Sequence, residues 1–404
     1  MNTLIQTRRS FIKTTLKAGA FVSFAANAPV SLLRAATTAP QRIGDTVLVV
    51  LQLSGGNDGL NTVIPYADDA YHRGRPTLRQ MARGAHKLDS HLAFHPRMEG
   101  FYRLYRDGLL TIVQGVGYPD ADRNHPGGMH NWHTAAPRAP KTQTGWLGRA
   151  ADRLWKPAEA NVPAMFVGAI PQPFAANAEQ VIVPSVRSPR ELLSQSFSPV
   201  PAEPGVSWLN SLRRATAVVQ ANNRRIESVM AASSSADYPK FQLAEELRAI
   251  AQLIRADLGV RIFFTELGGG NIGGFDNHAG QLGNHCSLVH QLSESVAAFI
   301  RDLQRDKLHE RVLLMTYSEF GRTVRENGRR GTDHGAAQPV FLAGGRLKGG
   351  LCGAHPSLTD VDKDGLKFHT DFRRVYATAL DRWLGLDSRS VLSASFEPLD
   401  VLKA

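Results

Sequence analysis

The sequence has few cysteines and lacks a long apolar run beyond its N-terminus. Its 404 residues include two cysteines, Cys286 and Cys352, whose spacing matches no metal-binding motif. In an oxidising compartment the two could pair, but two free thiols are at least as acceptable a reading. Beyond residue 36 no apolar run reaches the roughly 18 residues that a membrane span needs. We therefore expect no membrane span once the N-terminal segment has been removed. No basic helix with interleaved aromatic residues suggests nucleic acid as a partner.

Acidic residues are absent from the first 36 positions. This segment carries five of the basic residues, so the formal charge of +11 falls to +6 without it. An excess of that size fits an anionic ligand or a wall surface, although solvation is the commoner reason for a basic surface. The five basic residues are Arg8, Arg9, Lys13, Lys17 and Arg34.

The N-terminal segment has the pattern of a twin-arginine export signal. Paired arginines at 8 and 9 precede Phe11, and a weakly apolar run follows over 18–28. The alternative is a basic amphipathic helix that belongs to the fold. We expect residues 1–36 to be the signal peptide, with the twin-arginine translocase as a partner. The protein is then periplasmic or extracellular and is exported folded, and residues 37–404 form a single α/β domain.

Apolar strands and amphipathic helices alternate through most of that domain. Near-continuous apolar strands are typical of a parallel sheet covered on both faces, so we predict a doubly wound, mostly parallel sheet between helices. Residues 185–258 are expected to form a loop and a helical insertion, with helices over 208–230 and 238–258. The other strands and helices are expected at 46–53, 109–117, 164–168, 260–267, 312–317 and 339–345, and at 98–105, 285–307 and 371–383.

Carboxylates and histidines follow several of these strands. The carboxyl ends of parallel strands meet at one edge of a sheet, so these side chains are expected to share a divalent metal site there. Alternatives remain, because Asp58 lies in a Gly-Asn-Asp-Gly sequence typical of turns, and Asp276 with His278 also fits a capping residue beside a surface histidine. The expected ligands are Asp58, Asp276, His278, Glu319, Asp333 and His334.

Three histidines occur between residues 122 and 133. His125 and His130 do not share a helical spacing, and the Pro-Gly-Gly at 126–128 is expected to break any helix. We expect a surface loop that helps bind substrate, with a cluster of metal ligands as the alternative.

Four motifs, together with the N-terminal signal, carry a resemblance to a known family. They are LSGGNDGLNT at 53–62, GGFDNH at 273–278, SEFGRT at 318–323 and GTDHG at 331–335. With them the mature chain resembles domain-of-unknown-function family 1501 over essentially its whole length. That family is grouped with the alkaline phosphatase and sulfatase superfamily. The resemblance implies an α/β sandwich with one or two divalent ions, Zn, Mn, Mg or Ca, at the sheet edge.

The resemblance also implies roles for individual residues. Arg322 and Arg123 would clamp an anionic substrate. Phe320 stands where the superfamily has a histidine, so one ligand is lost and a second ion would be absent, weakly held or harder, such as Mg or Ca. Asn124 stands where family members often carry a serine, which leaves Thr62 as the nearest hydroxyl nucleophile. The implied substrate-binding residues are Asn57, Asn124 and His125.

Two functions remain open from the sequence. The first is an exported metal-dependent hydrolase of phosphate or sulfate esters, acting on an anionic small molecule or polymer. The second is a non-catalytic binding or assembly protein on the same fold, with another exported protein as its partner. The differences at Phe320 and Asn124 favour the second, and the clustered carboxylates and histidines favour the first.

Overall fold

The computed structural model describes residues 46–137, 142–156, 162–192, 227–228, 237–269 and 274–403. The strands are β1 (Val47–Leu53), β2 (Val63–Ile64), β3 (His86–Lys87), β4 (Ala93–Phe94), β5 (Leu110–Gly117), β6 (Ala164–Val167), β7 (Ser185–Val186), β8 (Ile262–Leu267), β9 (Val312–Tyr317), β10 (Gln338–Gly344), β11 (Gly350–Cys352), β12 (Val361–Asp362), β13 (Gly365–Leu366) and β14 (Thr370–Asp371).

Helices connect most of these strands. They are α1 (Gly59–Thr62), α2 (Asp69–Gly74), α3 (Glu99–Arg106), α4 (His125–Thr134), α5 (Trp146–Leu154), α6 (Gln242–Ala256), α7 (Gln281–Arg305), α8 (Phe372–Ala377), the π-helical α9 (Thr378–Leu384) and α10 (Ser388–Leu392). Short 3₁₀ turns cover Leu78–Ala82, Phe174–Ala176, Pro189–Leu192 and Leu308–Arg311.

One large sheet organises the chain, as the sequence predicted. It has nine described strands in the order β11-β5-β10-β9-β1-β8-β6-β7, with β14 also paired to β5. Strand β10 runs antiparallel to both of its neighbours, and the other pairings between the described strands of this sheet are parallel. Two small antiparallel sheets, β2-β4-β3 and β12-β13, lie outside it.

Strand β1 lies near the middle of the sheet and is buried on both faces. Val47, Val49 and Leu51 pack into one core with helices α3, α6 and α7. The alternate residues Leu48 and Val50 pack into a second core with α4, α5, α8 and α9. Because both faces are covered, the strand reads as a continuous apolar run, and the predicted doubly wound arrangement is confirmed.

The predicted insertion at 185–258 is only partly described. Helix α6 belongs to the layer of helices on the sheet, since Leu247, Ile250 and Leu253 are buried in the same core as α7. The helix predicted over 208–230 lies outside the described residues apart from 227–228, as does the signal peptide. The insertion and the boundary at residue 37 therefore stay predictions.

The loop predicted between residues 122 and 133 is wrong, because His125–Thr134 forms helix α4. Pro126 lies in its first turn, where a backbone N–H has no partner within the helix and proline costs little. Gly127 packs closely on Asp122, whose Oδ2 would lie 1.8 Å from an added Cβ. The Pro-Gly-Gly sequence thus marks the start of a helix.

Two further expectations concern the thiols and the membrane. Within the described residues Cys286 and Cys352 are both free, so of the two readings the structure shows unpaired thiols. Among the helices that the structure describes, none is both long enough and apolar enough to span a bilayer.

Candidate metal centre

Strand order brings the predicted motifs to one edge of the sheet. Strands β9, β1 and β8 are neighbours, so the residues that follow their carboxyl ends meet there. Glu319 is the second residue after β9, and Asp276 lies on the segment after β8. His334 lies shortly before β10, which begins at this edge because it runs antiparallel. Helix α4 starts at the same place and contributes His125.

Three imidazoles converge on the carboxylate of Asp276. Its Oδ1 lies 2.9 Å from Nε2 of His278 and 3.1 Å from Nε2 of His334, and its Oδ2 lies 3.3 Å from Nε2 of His125. The Nε2 atoms of His278 and His334 are 3.0 Å apart. We call these four residues the histidine–aspartate centre.

The other nitrogen of each ring is held by an acceptor. Nδ1 of His125 lies 2.8 Å from Oε1 of Glu319, and Nδ1 of His278 lies 3.0 Å from Oδ1 of Asp333. Nδ1 of His334 lies 2.6 Å from the carbonyl oxygen of Arg123. Since these oxygens accept, each Nδ1 carries the proton, and the three Nε2 lone pairs face Asp276. That arrangement is stable only with a cation or extra protons between the four groups.

The pKa values of the centre fit this description. Burial raises the pKa of Asp276, but the hydrogen bond from Arg322 and the charge of that guanidinium outweigh it, and the pKa falls to about 2. The hydrogen bond to Glu319 raises the pKa of His125 against the effect of burial. Burial lowers the pKa of His334 although Asp276 favours its charged form. At neutral pH the centre therefore offers an ionised carboxylate and a neutral imidazole.

The donor set fits a divalent metal ion of the zinc class. One ligand atom each from His125, Asp276 and His334 lies within 4.8 Å of the others, and His278 adjoins two of them. Ligands of a tetrahedral zinc ion, at about 2.0–2.1 Å from it, lie roughly 3.3 Å from one another. The spacings around Asp276 are close to that value. Three nitrogens also match zinc better than the oxygen sets of magnesium or calcium.

Glu319 and Asp333 were predicted as ligands. In the structure each accepts a hydrogen bond from Nδ1 of a histidine, on the side of the ring away from Asp276. Glu319 is 2% exposed and accepts from the N–H of Gly55 at 2.8 Å and from Ser318 Oγ at 3.0 Å, besides His125. Asp333 also accepts from Nδ2 of Asn327 at 3.1 Å. Carboxylates in such positions fix the tautomer and orientation of metal-binding histidines.

Asp58, another predicted ligand, is not part of this group. It is buried, with its Oδ2 2.5 Å from NH1 of Arg75 and hydrogen-bonded to Gln281. Burial raises the pKa of this carboxyl, but the charge of Arg75 outweighs it and lowers the pKa overall. The structure gives Asp58 an internal ion pair in place of the ligand position that we expected.

The predicted nucleophile and one predicted substrate-binding residue are also buried. Thr62 Oγ is fully buried, and it lies 2.8 Å from the carbonyl of Asp58 and 3.1 Å from Oδ1 of Asn57. Asn57 is buried as well, and its backbone N–H donates to Ser318 Oγ at 3.0 Å. A hydroxyl enclosed in this way cannot reach a substrate, so the expectation for Thr62 is corrected.

The two predicted anion-binding arginines are engaged with the protein. Arg322 is buried and donates to Oδ1 of Asp276 at 2.7 Å and to carbonyls of the surrounding loops. Arg123 donates through its side chain to Asp362 at 2.9 Å and to the carbonyl of Lys363 at 3.0 Å. Its contribution to the centre is the carbonyl that holds His334. Asn124 is exposed at the start of α4.

Phe320 packs on the histidines of the centre. Its ring centroid lies 4.3 Å from that of His334 and 5.0 Å from that of His125. A Cβ at Gly56 would lie 2.4 Å from this ring, so the space around it is filled. The residue that replaces the expected histidine therefore closes one side of the centre with an apolar surface.

Sequence reasoning missed two features of the centre. It favoured substrate binding over metal ligation for His125, although the ring faces Asp276 together with the other two histidines. It gave no role to Arg75, which belongs to none of the motifs and pairs with Asp58 in the folded chain. The Asp-x-His and Asp-His pairs were the signals that could be read, and they supply Asp276, His278, Asp333 and His334.

Comparison with known proteins identifies the family. The sequence matches the family described as protein of unknown function (DUF1501) over residues 45–396. The chain belongs to that family. No curated protein matches the sequence significantly.

Several solved structures of low sequence identity are similar to this member of DUF1501. The zinc complex of the C-terminal periplasmic domain of EcEptC from Escherichia coli is 10% identical, with a TM-score of 0.37 over 74% of this chain and 73% of that one. The PsFucS1 sulfatase from Pseudoalteromonas sp. is 12% identical, with a TM-score of 0.38 over 92% and 74%. A protein of the alkaline phosphatase superfamily from Vibrio parahaemolyticus is 11% identical, with a TM-score of 0.31 over 78% and 68%. Likenesses this distant carry no argument about function.

Proposed function

We propose that the histidine–aspartate centre binds a divalent metal ion of the zinc class and that the protein hydrolyses phosphate or sulfate esters. The observation that carries the proposal is the convergence of three Nε2 atoms on Asp276, each with its Nδ1 held by an acceptor. Membership of DUF1501 and the alkaline phosphatase and sulfatase grouping that the sequence motifs imply agree with this chemistry.

Individual residues would then have distinct roles in binding the ion and in orienting its ligands. Asp276, His125, His278 and His334 hold the ion, while Glu319, Asp333 and the carbonyl of Arg123 fix the three rings. A bound ion of this class polarises an ester oxygen and lowers the pKa of water. Because Thr62 is enclosed and Asn124 has no hydroxyl, we propose water rather than one of these side chains as the nucleophile.

The surroundings of the centre favour an anionic substrate. Arg329 and Arg330 are exposed on the turn that follows Asn327, and Asn327 donates to both Asp333 and the carbonyl of His278. Burial raises the pKa of Asp333, but its hydrogen bonds with His278 and Asn327, together with the charges of His278 and Arg329, lower the pKa overall. A positive rim of this kind would attract an anionic ester, either a small molecule or a polymer.

The place of action follows from the sequence. We propose that residues 1–36 direct the folded protein through the twin-arginine translocase to the periplasm or the cell exterior. A protein that is folded before export can acquire its metal in the cytoplasm, where the centre is already assembled.

The test combines metal content with turnover. The mature chain is purified, its metal is measured, and aryl phosphates and aryl sulfates are assayed with and without a chelator. We expect bound metal and chelator-sensitive turnover, and His334→Ala should lose both. The matched control is His290→Ala. His290 lies on helix α7, where its ring contacts Phe241 and the carbonyl of Arg97. A protein with no metal and no chelator-sensitive turnover would refute the proposal.

A non-catalytic binding or assembly role is the second candidate. The enclosed hydroxyl of Thr62 and the apolar cover of Phe320 favour it, because they leave the centre without a side-chain nucleophile. It predicts bound metal without turnover and a stable exported partner that co-purifies from the periplasm. Recovery of the protein alone, in a strain that needs the gene, would count against this role.

A further inference from the structure

Two buried guanidinium groups pair with carboxylates that the sequence predicted as metal ligands, Arg322 with Asp276 of the histidine–aspartate centre and Arg75 with Asp58. Arg75 is 0% exposed, and four oxygens surround its guanidinium. NH1 donates to Asp58 Oδ2 at 2.5 Å and to Asn61 Oδ1 at 2.7 Å. Nε donates to the carbonyl of Val324 at 2.9 Å, and NH2 donates to that of Thr323 at 2.7 Å. A cluster of oxygens with one carboxylate is the environment that a hard divalent cation would otherwise fill.

The second guanidinium, that of Arg322, has the same kind of surroundings. Its NH2 donates to Asp276 Oδ1 at 2.7 Å and to the carbonyl of Phe275 at 3.0 Å. Nε donates to the carbonyl of Gly56 at 2.7 Å, and NH1 donates to that of Thr332 at 3.0 Å. These bonds fix the charge in place, since a guanidinium stays protonated in proteins.

The two groups occupy the places at which a second ion would need ligands. A divalent ion requires several free oxygens or nitrogens within about 2.0–2.6 Å. Here Asp58 and its neighbouring carbonyls already accept from Arg75, and one oxygen of Asp276 already accepts from Arg322. A second cation would also be repelled by two fixed positive charges in a buried setting. Phe320 fills the remaining side with a ring that offers no ligand atom.

We propose that the centre holds one divalent ion and that Arg75 and Arg322 supply the positive charge that a second ion would bring to Asp58 and Asp276. The inference rests on the proposed metal centre and adds its stoichiometry. Arg322 is thus a positioning residue that acts through Asp276, whereas Arg75 neutralises Asp58, which is not a ligand of the proposed ion.

One atom makes the inference open to refutation. Oδ1 of Asp58 is buried and accepts no hydrogen bond from any residue that the structure describes. A second ion, if one binds, would have to use this oxygen. Asp58→Asn removes the negative charge of this carboxylate and one of its two oxygens. The variant should therefore keep the same ion count if the inference is correct, and should lose one ion if it is not.

The experiment counts ions on the mature chain reconstituted with excess zinc, by native mass spectrometry. We expect one ion on the wild-type chain and one on Asp58→Asn, with an affinity within about twofold of the wild type because Asp58 is not a ligand. Asp276→Asn should weaken binding by at least about 100-fold, since it removes the carboxylate on which the three rings converge. Phe320→His should still bind one ion, because the two arginines remain.

A second variant, Arg75→Ala, distinguishes an arginine that replaces a cation from one that only supports the fold. Arg75→Ala removes the guanidinium and leaves Asp58, Asn61 and the two carbonyls facing a cavity. If the guanidinium replaces a cation, millimolar Ca²⁺ should raise the melting temperature of this variant and should leave that of the wild type unchanged. If Ca²⁺ does not raise the melting temperature of Arg75→Ala above its effect on the wild type, the proposal that the guanidinium replaces a cation is contradicted.

The outcomes separate the inference from the proposed function. Two ions on the wild-type chain, with the second lost in Asp58→Asn, overturn the inference and leave the metal centre standing. If the chain binds no ion, both the inference and the proposed metal centre are overturned. The wild-type count alone decides the stoichiometry, so the result does not depend on how well the variants fold.

Discussion

Asp276 is the residue on which the centre depends. It receives a hydrogen bond from one guanidinium and close contacts from three imidazoles, and its pKa of about 2 keeps it ionised at neutral pH. A carboxylate with several positive or proton-donating neighbours is stabilised in its charged form, while the neutral imidazoles need a cation to share their lone pairs. The electrostatics therefore favour an occupied centre.

The carboxylate behind His125 should tune metal affinity. Glu319→Gln keeps the size of the side chain but weakens the acceptor for Nδ1 of His125. We expect the zinc affinity to fall about 10- to 100-fold, as is typical when a partner of a metal-binding histidine is lost. Competition with a chromophoric chelator measures this change.

The matched control is Asp360→Asn, an exposed carboxylate whose ion-pair partner is Lys367. It should leave the affinity unchanged. Equal affinities for Glu319→Gln and the wild type would show that Glu319 does not orient the ring.

Individual residues of the histidine–aspartate centre were partly predictable from the sequence. Asp276, His278 and His334 follow strands in short polar motifs, and those motifs pointed to the correct edge of the sheet. Asp58 has the same signal, yet its side chain pairs with Arg75. The sequence cannot show this difference, because the partner of a buried carboxylate is chosen by long-range packing.

At the scale of elements, helix α4 is the informative case. Its sequence begins with residues that disfavour helix, and its stability comes from packing, since Trp132 stacks on Tyr317 with ring centroids 5.4 Å apart. Tertiary burial outweighs local propensity in such a helix. The strands were easier to predict, because β1, β5 and β9 are buried along their whole length and most of their residues are apolar.

Two substitutions test this account of α4. Pro126→Ala should change the free energy of unfolding by less than about 1 kcal/mol, because a proline in the first turn removes no intrahelical hydrogen bond. Trp132→Ala should cost about 3–5 kcal/mol, since it empties a fully buried site. Urea unfolding measures both values. A cost for Pro126→Ala that equals the cost for Trp132→Ala would contradict the account.

At the scale of the whole molecule, buried histidines make the fold sensitive to acid. Burial lowers the pKa of His95 and His133 to about 3 and that of His285 to about 4. The unfolded chain therefore binds protons, below its histidine pKa of about 6.5, that the folded chain does not bind. Stability that is present at neutral pH is lost as the pH falls toward these folded pKa values.

Two buried glutamates act in the opposite direction over part of that range. Burial raises the pKa of Glu246 and Glu266 to about 7, so the folded chain holds their protons between about pH 4.5 and pH 7. Below about pH 4.5 the glutamates no longer offset the histidines. The carboxyls whose pKa is lowered in the folded chain, Asp58, Asp276 and Asp333, then add to the loss of stability.

We therefore expect the steepest loss of stability between about pH 4.5 and pH 3. Urea unfolding of the metal-free protein at a series of pH values measures the loss. Stability that stays constant down to pH 3 would contradict the burial of these histidines as neutral rings.

The fold class was predictable because it depends on the alternation of buried strands and amphipathic helices, which the sequence shows directly. The centre was not fully predictable, because it depends on strand order. Neighbouring positions for β9, β1 and β8, and the reversed direction of β10, decide which loops meet. His125 reaches the centre from the far side through α4, and no spacing in the sequence links it to Asp276.

The most direct test of the account is a crystal structure of the zinc-reconstituted protein with anomalous data collected at the zinc edge. The account predicts one anomalous peak at about 2.0–2.2 Å from a carboxylate oxygen of Asp276 and from Nε2 atoms of the three histidines. Glu319 and Asp333 should remain behind His125 and His278. A peak bound to Asp58, or no peak within reach of Asp276, would contradict it.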